Sequence, residues 1–235
     1  MEKELFALLR LGLCNSMIEE EALSDFIVMT AKQWVRIGEL AENQGVLGVF
    51  LDGVERLSAC GYGATRELPV ELKLEWIGEV LQIEQANQQQ KAVMNDLAEK
   101  WKQKGCRVMV FKGQANGTYY PKPDHRNPGD IDCYLFENYA RGNDIARKAG
   151  AEVDEGWYKH SQIQYKGEMF ENHQYFVHTR DGKRGKRLNR ELVEQLLDEP
   201  SGKAERCTKH GVLCKQSNQR SSGLSNFRNM VQEDA

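Results

Sequence analysis

The chain has 235 residues, of which 40% are hydrophobic and 29% charged, and its formal net charge is −3. That balance describes an ordinary globular protein and excludes both a wholly disordered chain and a polyanion binder driven by overall positive charge. No apolar stretch approaches the ~20 residues of a membrane span, and Met1-Glu2-Lys3-Glu4-Leu5 is not a basic segment leading into an apolar core, so a cytoplasmic protein with no membrane partner is expected.

Between Glu20 and Ala59 apolar residues recur at helical spacing, through Leu23, Phe26 and Ile27, then Trp34, Ile37, Leu40 and Ala41, then Val46, Val49, Phe50, Val54 and Leu57. Cys60 to Thr65 and Pro69 interrupt the pattern. From Glu71 to Lys104 the chain has no proline and is rich in Glu, Gln, Leu, Lys and Ala, which predicts one long helix. Along it Trp76, Val80, Ile83, Asn87, Gln90, Met94, Leu97 and Trp101 step by fours and threes, one face with a polar interruption in its middle. Gly105 has the place of a helix-ending glycine, and the period then changes to a short continuous apolar run, Cys106 to Phe111, read as a buried strand.

Ile131 to Phe136 is a second such run, followed by a predicted helix over Asn138 to Ala149 that Gly150 ends. Around Lys166-Gly167, the aromatic and β-branched segments His160 to Lys166 and Glu168 to His178 predict an antiparallel hairpin. Leu188 to Leu197 reads as a short helix. The basic cluster Arg180, Lys183, Arg184, Lys186, Arg187 and Arg190 reads as a solvated loop, with an anionic acceptor such as RNA as the functional alternative. The expected organisation is a helical region over 1–104, a catalytic domain over 105–200 and a poorly ordered polar tail over 201–235. Six scattered cysteines without a C-x-x-C pair read as free thiols.

The chemistry concentrates in Phe111-Lys112-Gly113-Gln114 and, after 16 residues between Gly113 and Asp130, in Asp130-Ile131-Asp132. In a strand, alternate side chains share a face, so Asp130 and Asp132 are expected to project together while Ile131 and Cys133 enter the core. Two carboxylates that close repel unless a cation sits between them. Oxygen donors with no His or Cys nearby in sequence favour Mg²⁺ or Mn²⁺. Gly113, where a strand gives way to a short helix over Gln114 to Tyr119, allows a phosphate to approach the backbone. Lys112 and Arg126 offer phosphate-neutralising charge, although Arg126 can equally pair with Asp124 or Asp130.

The Lys-Gly turn, the Tyr120-Pro121 segment and Arg126-Asn-Pro-Gly-Asp-Ile-Asp132 resemble the nucleotidyltransferase superfamily, most closely its uncharacterised bacterial family, over about Val108 to His178. The resemblance implies an α+β fold, a mixed β-sheet preceded here by a helical region, with the glycine turn cradling an NTP and the Asp pair holding the metal. It also implies a third acid on a later strand, often followed two residues on by histidine; Glu171-Asn172-His173 fits, with Glu168 as competitor. The predicted catalytic set is therefore Asp130, Asp132 and Glu171, the metal ligands Asp130 and Asp132, and the nucleotide-binding residues Lys112, Gly113, Gln114 and Arg126. The implied activity is transfer of a nucleoside monophosphate from an NTP to a small molecule, protein or RNA. Two other classes stay open: an Asp-x-Asp glycosyltransferase, disfavoured because only one strand precedes the triplet, and a catalytically weak scaffold that binds a partner or RNA.

Overall fold

The computed structural model describes residues 1–14, 25–60, 63–176, 182–198 and 213–214. Helices α1 (Glu2–Leu13), α2 (Ala31–Asn43) and α3 (Leu47–Ala59) precede the long helix α4 (Val70–Gln103). Then follow β1 (Met109–Val110), the short α5 (Gly113–Gly117), β2 (Ile131–Tyr134), α6 (Tyr139–Lys148), β3 (Glu152–Asp154), β4 (His160–Tyr165), β5 (Glu168–His173), α7 (Lys183–Asp198) and β6 (Leu213–Cys214). The strands form one mixed sheet in the order β3-β4-β5-β2-β1-β6, in which β2 runs parallel to β5 and antiparallel to β1. The fold is thus α+β with a helical N-terminal region, and among the described residues no helix is long and apolar enough to cross a membrane.

Two apolar clusters hold the chain together, and α4 belongs to both. Its first half sends Trp76 and Val80 into a core shared with Leu8, Trp34, Ile37, Phe50 and Val54. Its second half sends Met94, Leu97 and Trp101 against Ile131, Cys133, Ile163 and Phe170 of the sheet. Helix α1 falls within the expected helical region, although no apolar period is assigned to its residues. It docks on α3 where Gly12 and Gly53 remove side chains from the crossing: a Cβ on either would lie 2.1 Å from the facing carbonyl oxygen of Val49 or Leu8.

The predicted elements fall close to their observed places, with informative differences. The run Cys106 to Phe111 supplies only two ladder residues. Phe111 N–H still bonds to the Asp132 carbonyl, but the chain then turns sharply at Lys112. The hairpin turns on Lys166 and Gly167, both with positive φ, as a two-residue β-turn between tightly paired strands requires. Strand β3, too short to show a period, had no sequence expectation. The basic segment from Lys183 onward is helical from its first residue, because Lys, Arg, Leu, Glu and Gln are good helix formers and Gly185 alone does not outweigh them. Arg180 and the polar tail, apart from Leu213–Cys214, lie outside the described residues, as does the expected helical start at Glu20 to Leu23.

The polar interruption in α4 has a structural role. Asn87 and Gln90 are buried between the two apolar clusters, where Asn87 Nδ2 donates to the carbonyls of Asp124 (2.9 Å) and Arg126 (2.8 Å) and Gln90 Nε2 donates to that of Gly129 (2.6 Å). The irregular segment that leads into the Asp pair is thereby tied to a rigid helix. A second buried polar contact lies alongside: His125 meets Asp52 through Nδ1 at 3.0 Å and Glu84 through Nε2 at 2.9 Å. The hydrogen bond to Asp52, opposed by burial and aided by the bond to Glu84, holds the imidazole pKa above its ordinary value.

A raised folded-state pKa gives stability that is complete below the unfolded value, about 6.5, and is lost as pH rises through the folded value. The melting temperature is therefore expected to decline on the alkaline side of about pH 6.5. His125→Asn should lower the plateau and remove most of that decline, as melts across a pH series would show. An unchanged slope would assign the pH dependence to other groups.

Candidate active site

The sheet has one closed and one open face. Ile131, Cys133, Ser161, Ile163, Phe170 and Asn172 point to the closed face, beneath α4 and α6. Strand alternation then places Asp132, His160, Glu171 and His173 on the other face. The parallel register of β2 and β5 sets Asp132 directly opposite Glu171, and the antiparallel register of β4 and β5 sets His160 opposite His173.

Contacts follow from these registers. Asp132 Oδ1 accepts from Lys112 Nζ at 2.6 Å and lies 2.9 Å from His173 Nε2. Glu171 lies 3.3 Å from His173 Nε2 through one carboxylate oxygen and 3.4 Å from His160 Nε2 through the other. Burial raises the Asp132 carboxyl pKa, but His173 and Lys112 together outweigh it and hold the group below its ordinary value. Asp132 is therefore a buried carboxylate kept ionised by two neighbours. Phe111 supports the His173 ring edge-on, with ring centres 4.9 Å apart, and Trp157 stacks on His160.

Lys112 reaches Asp132 from an unusual backbone conformation, φ 55° and ψ −129°. A side chain there costs about 1–3 kcal/mol, so its surroundings must fix it. The Lys112 carbonyl accepts from Asn116 N–H, and the ammonium rests against Asp132. Gly113 follows immediately and is buried, and a Cβ in its place would come within 3.1 Å of the Asp130 carbonyl. The glycine thus lets the turn close onto the chain just before β2.

Of the residues singled out from sequence, Lys112, Asp132 and Glu171 come together. Asp130 lies one residue before β2, is exposed, and among the described residues makes no ion pair. Arg126 donates to the carbonyl of its neighbour Asn127 and pairs with neither Asp124 nor Asp130; Asp124 is bound by Lys91 instead. Gln114 uses its amide to bond Asn87 (2.8 Å) and Gln90 (2.6 Å), anchoring the glycine turn to α4. His160, read from sequence only as the start of a hairpin strand, stands inside the cluster. The signal for Asn87 and Gln90 was present as the break in the apolar stripe, but its partners, some 37 to 39 residues away, were not visible.

The sequence matches the family described as uncharacterised nucleotidyltransferase over residues 30–208. The chain belongs to this family. No curated protein and no solved structure matches it. The family match begins at the capping residue of α2 and runs past the end of α7, so it takes in helices α2 to α4 as well as the sheet. Within this nucleotidyltransferase the turn at Lys112, the entry to β2 and the hairpin β4–β5 all lie inside the matched segment.

Proposed function

We propose that this nucleotidyltransferase transfers a nucleoside monophosphate from an NTP to an acceptor in a reaction dependent on Mg²⁺ or Mn²⁺. The observation that carries the reading is the pairing of Asp132 with Glu171 across parallel strands, with Lys112 drawn onto Asp132 from the glycine turn. The oxygen donors Asp130, Asp132 and Glu171 suit a hard divalent cation, and the depressed pKa of Asp132 keeps it available as an anion. Asp130 and Asp132 would hold that cation, which would supply neutralisation of the charge developing at the α-phosphate.

The protein's own groups do the rest. Lys112 can exchange its carboxylate partner for a phosphate oxygen, a movement within the reach of an exposed ammonium. Arg126, which among the described residues is engaged only with a neighbouring carbonyl, can turn towards the triphosphate. Gly113 and Gln114 hold the turn in place, and Glu171 accepts the proton of the acceptor hydroxyl or amine or helps to bind a second ion. An open groove of about 610 Å³ lies elsewhere, between α2, α4 and the segment before β2, lined by Glu42, Glu79, Gln82, Asn127 and Pro128. Burial, followed by the neighbouring Glu79, pushes the Glu42 pKa up. Such a surface repels a triphosphate, which supports placing the nucleotide on the Lys112 side.

The test is incubation with each α-labelled NTP, Mg²⁺ and cell extract, followed by the double variant Asp130→Asn with Asp132→Asn. The parent should gain thermal stability from Mg²⁺-NTP and label an acceptor. The double variant should do neither and still melt cooperatively. Equal ligand-induced stabilisation in parent and variant would remove the metal role from this pair, and no stabilisation in the parent would favour a scaffold that only binds a partner.

A further inference from the structure

We propose that His160, Glu171 and His173 form a site for one divalent transition-metal ion of the zinc type, distinct in chemistry from the oxygen-donor site of Asp130 and Asp132. The proposal deepens the second-ion role given to Glu171 above, and it is tested without nucleotide, so its failure leaves nucleotidyl transfer standing.

One ligand atom from each of the three residues lies within 4.8 Å of the other two. The separations between Glu171 and the two imidazole nitrogens are 3.3 and 3.4 Å. Donors held tetrahedrally around Zn²⁺ at about 2.0–2.1 Å stand roughly 3.3 Å apart, the separation each carboxylate oxygen of Glu171 already has from one imidazole nitrogen, and side-chain rotation has only to draw the set in from at most 4.8 Å. The side chains are 13–19% exposed, which shelters the site and still leaves an entry path.

The scaffold is as well suited as the donors. His160 and His173 are cross-strand partners and Glu171 is two residues before His173 on the same face, so all three stand on the rigid hairpin β4–β5. Trp157 over His160 and Phe111 against His173 fix the rings and supply an apolar shell. Two imidazoles with one carboxylate form a borderline donor set that suits Zn²⁺, Co²⁺ or Fe²⁺, whereas Mg²⁺ prefers oxygen and retains its waters. Among the described residues, Cys14 and Cys60 are exposed thiols that could compete for zinc away from this site.

Occupancy also acts on Asp132. His173 Nε2 is the atom that faces Asp132 Oδ1 and also the atom nearest Glu171. When that nitrogen gives its lone pair to an ion it carries no proton for Asp132, which then has Lys112 as its only partner among the described residues. Loading the histidine site therefore frees one side of Asp132 for the nucleotide's cation.

The experiment takes the full chain, stripped of metal by chelation, and titrates it with Co²⁺ in excess Mg²⁺ while recording the visible absorption. Zn²⁺ competition then gives the affinity and elemental analysis the stoichiometry. One Co²⁺ per chain, displaced by one Zn²⁺, is expected. His160→Ala and His173→Ala should each weaken Zn²⁺ binding by more than about 100-fold, beyond the ten- to hundredfold that changes in outer-shell partners cause. Cys14→Ser with Cys60→Ser should leave the affinity unchanged. His160→Asn and His173→Asn, checked by melts without metal, replace the alanine variants should those fail to fold. Absence of stoichiometric Zn²⁺ binding to the parent, binding that survives both histidine changes, or binding lost only with the cysteines would each overturn the proposal.

Discussion

Glu171→Gln is expected to retain most of the affinity for Mg²⁺-NTP while losing transfer by two or more orders of magnitude, within the range of about 10²–10⁴ for removal of a general base. Affinity survives because the carboxylates of Asp130 and Asp132 and the Lys112 ammonium are untouched. Glu168→Gln is the matched control. Glu168 lies three residues earlier, on the other face of β5, where it meets Gln90 Nε2 at 3.4 Å, and a glutamine can preserve that contact. Single-turnover rates and nucleotide affinities of both variants decide the assignment. Equal rates in Glu171→Gln and the parent, or a larger loss in Glu168→Gln, would move the role to another acid. Repeating the assay over a range of Zn²⁺ concentrations separates two roles: recovery at high Zn²⁺ marks Glu171 as a ligand, and no recovery marks it as the proton acceptor.

Trp101→Ala should cost about 3–5 kcal/mol, the usual penalty for emptying a large aromatic site in a core. Trp101 is 1% exposed, meets Phe170 edge-to-face with ring centres 6.1 Å apart, and donates Nε1–H to the Gly142 carbonyl at 3.0 Å. The alanine variant therefore leaves a cavity and loses the hydrogen bond that ties α4 to α6. Trp101→Phe keeps most of the volume and gives up the hydrogen bond, so a loss of about 0.5–1.5 kcal/mol is expected, because the Gly142 carbonyl remains within helix α6. Denaturant titration of the three proteins would give the ordering parent, Phe, Ala. If the alanine variant were as stable as the phenylalanine one, the indole would not be the keystone of the sheet core.

The parts of the molecule that could be read in the sequence are those where local periodicity and packing agree. The long helix lacks proline and presents Trp76, Val80, Met94, Leu97 and Trp101 at helical spacing, and the turn at Lys166-Gly167 announces its hairpin. Asp132 and Glu171 were readable as candidate acids because strand alternation and the family resemblance pointed to the same positions. What escaped depends on contacts between distant segments. The meeting of His160 with Glu171 requires the cross-strand register, and the engagement of Gln114 with Asn87 and Gln90 requires the crossing of α4 over the glycine turn. Alternation alone suggested that Asp130 and Asp132 would behave alike, but the strand starts at Ile131 and only Asp132 is held within it. The docking of helix α1 escaped because it depends on two glycines 41 positions apart in the chain, Gly12 and Gly53, whose fit is a property of the crossing and not of either segment.

The long helix also limits how this protein can be divided. At 34 residues it spans about 51 Å, and it gives half of its buried face to each apolar cluster. A fragment cut at Gly105 would carry Lys112, Asp132 and Glu171 yet lack Met94, Leu97 and Trp101, which cover the sheet, and Asn87 and Gln90, which fix the segment before β2. Such a fragment has the reactive groups on one face of a sheet whose opposite, apolar face is left bare to solvent. The smallest independently folding piece that contains the site must therefore include α4, and because α4 is shared, heat or denaturant should disassemble both clusters in one cooperative step.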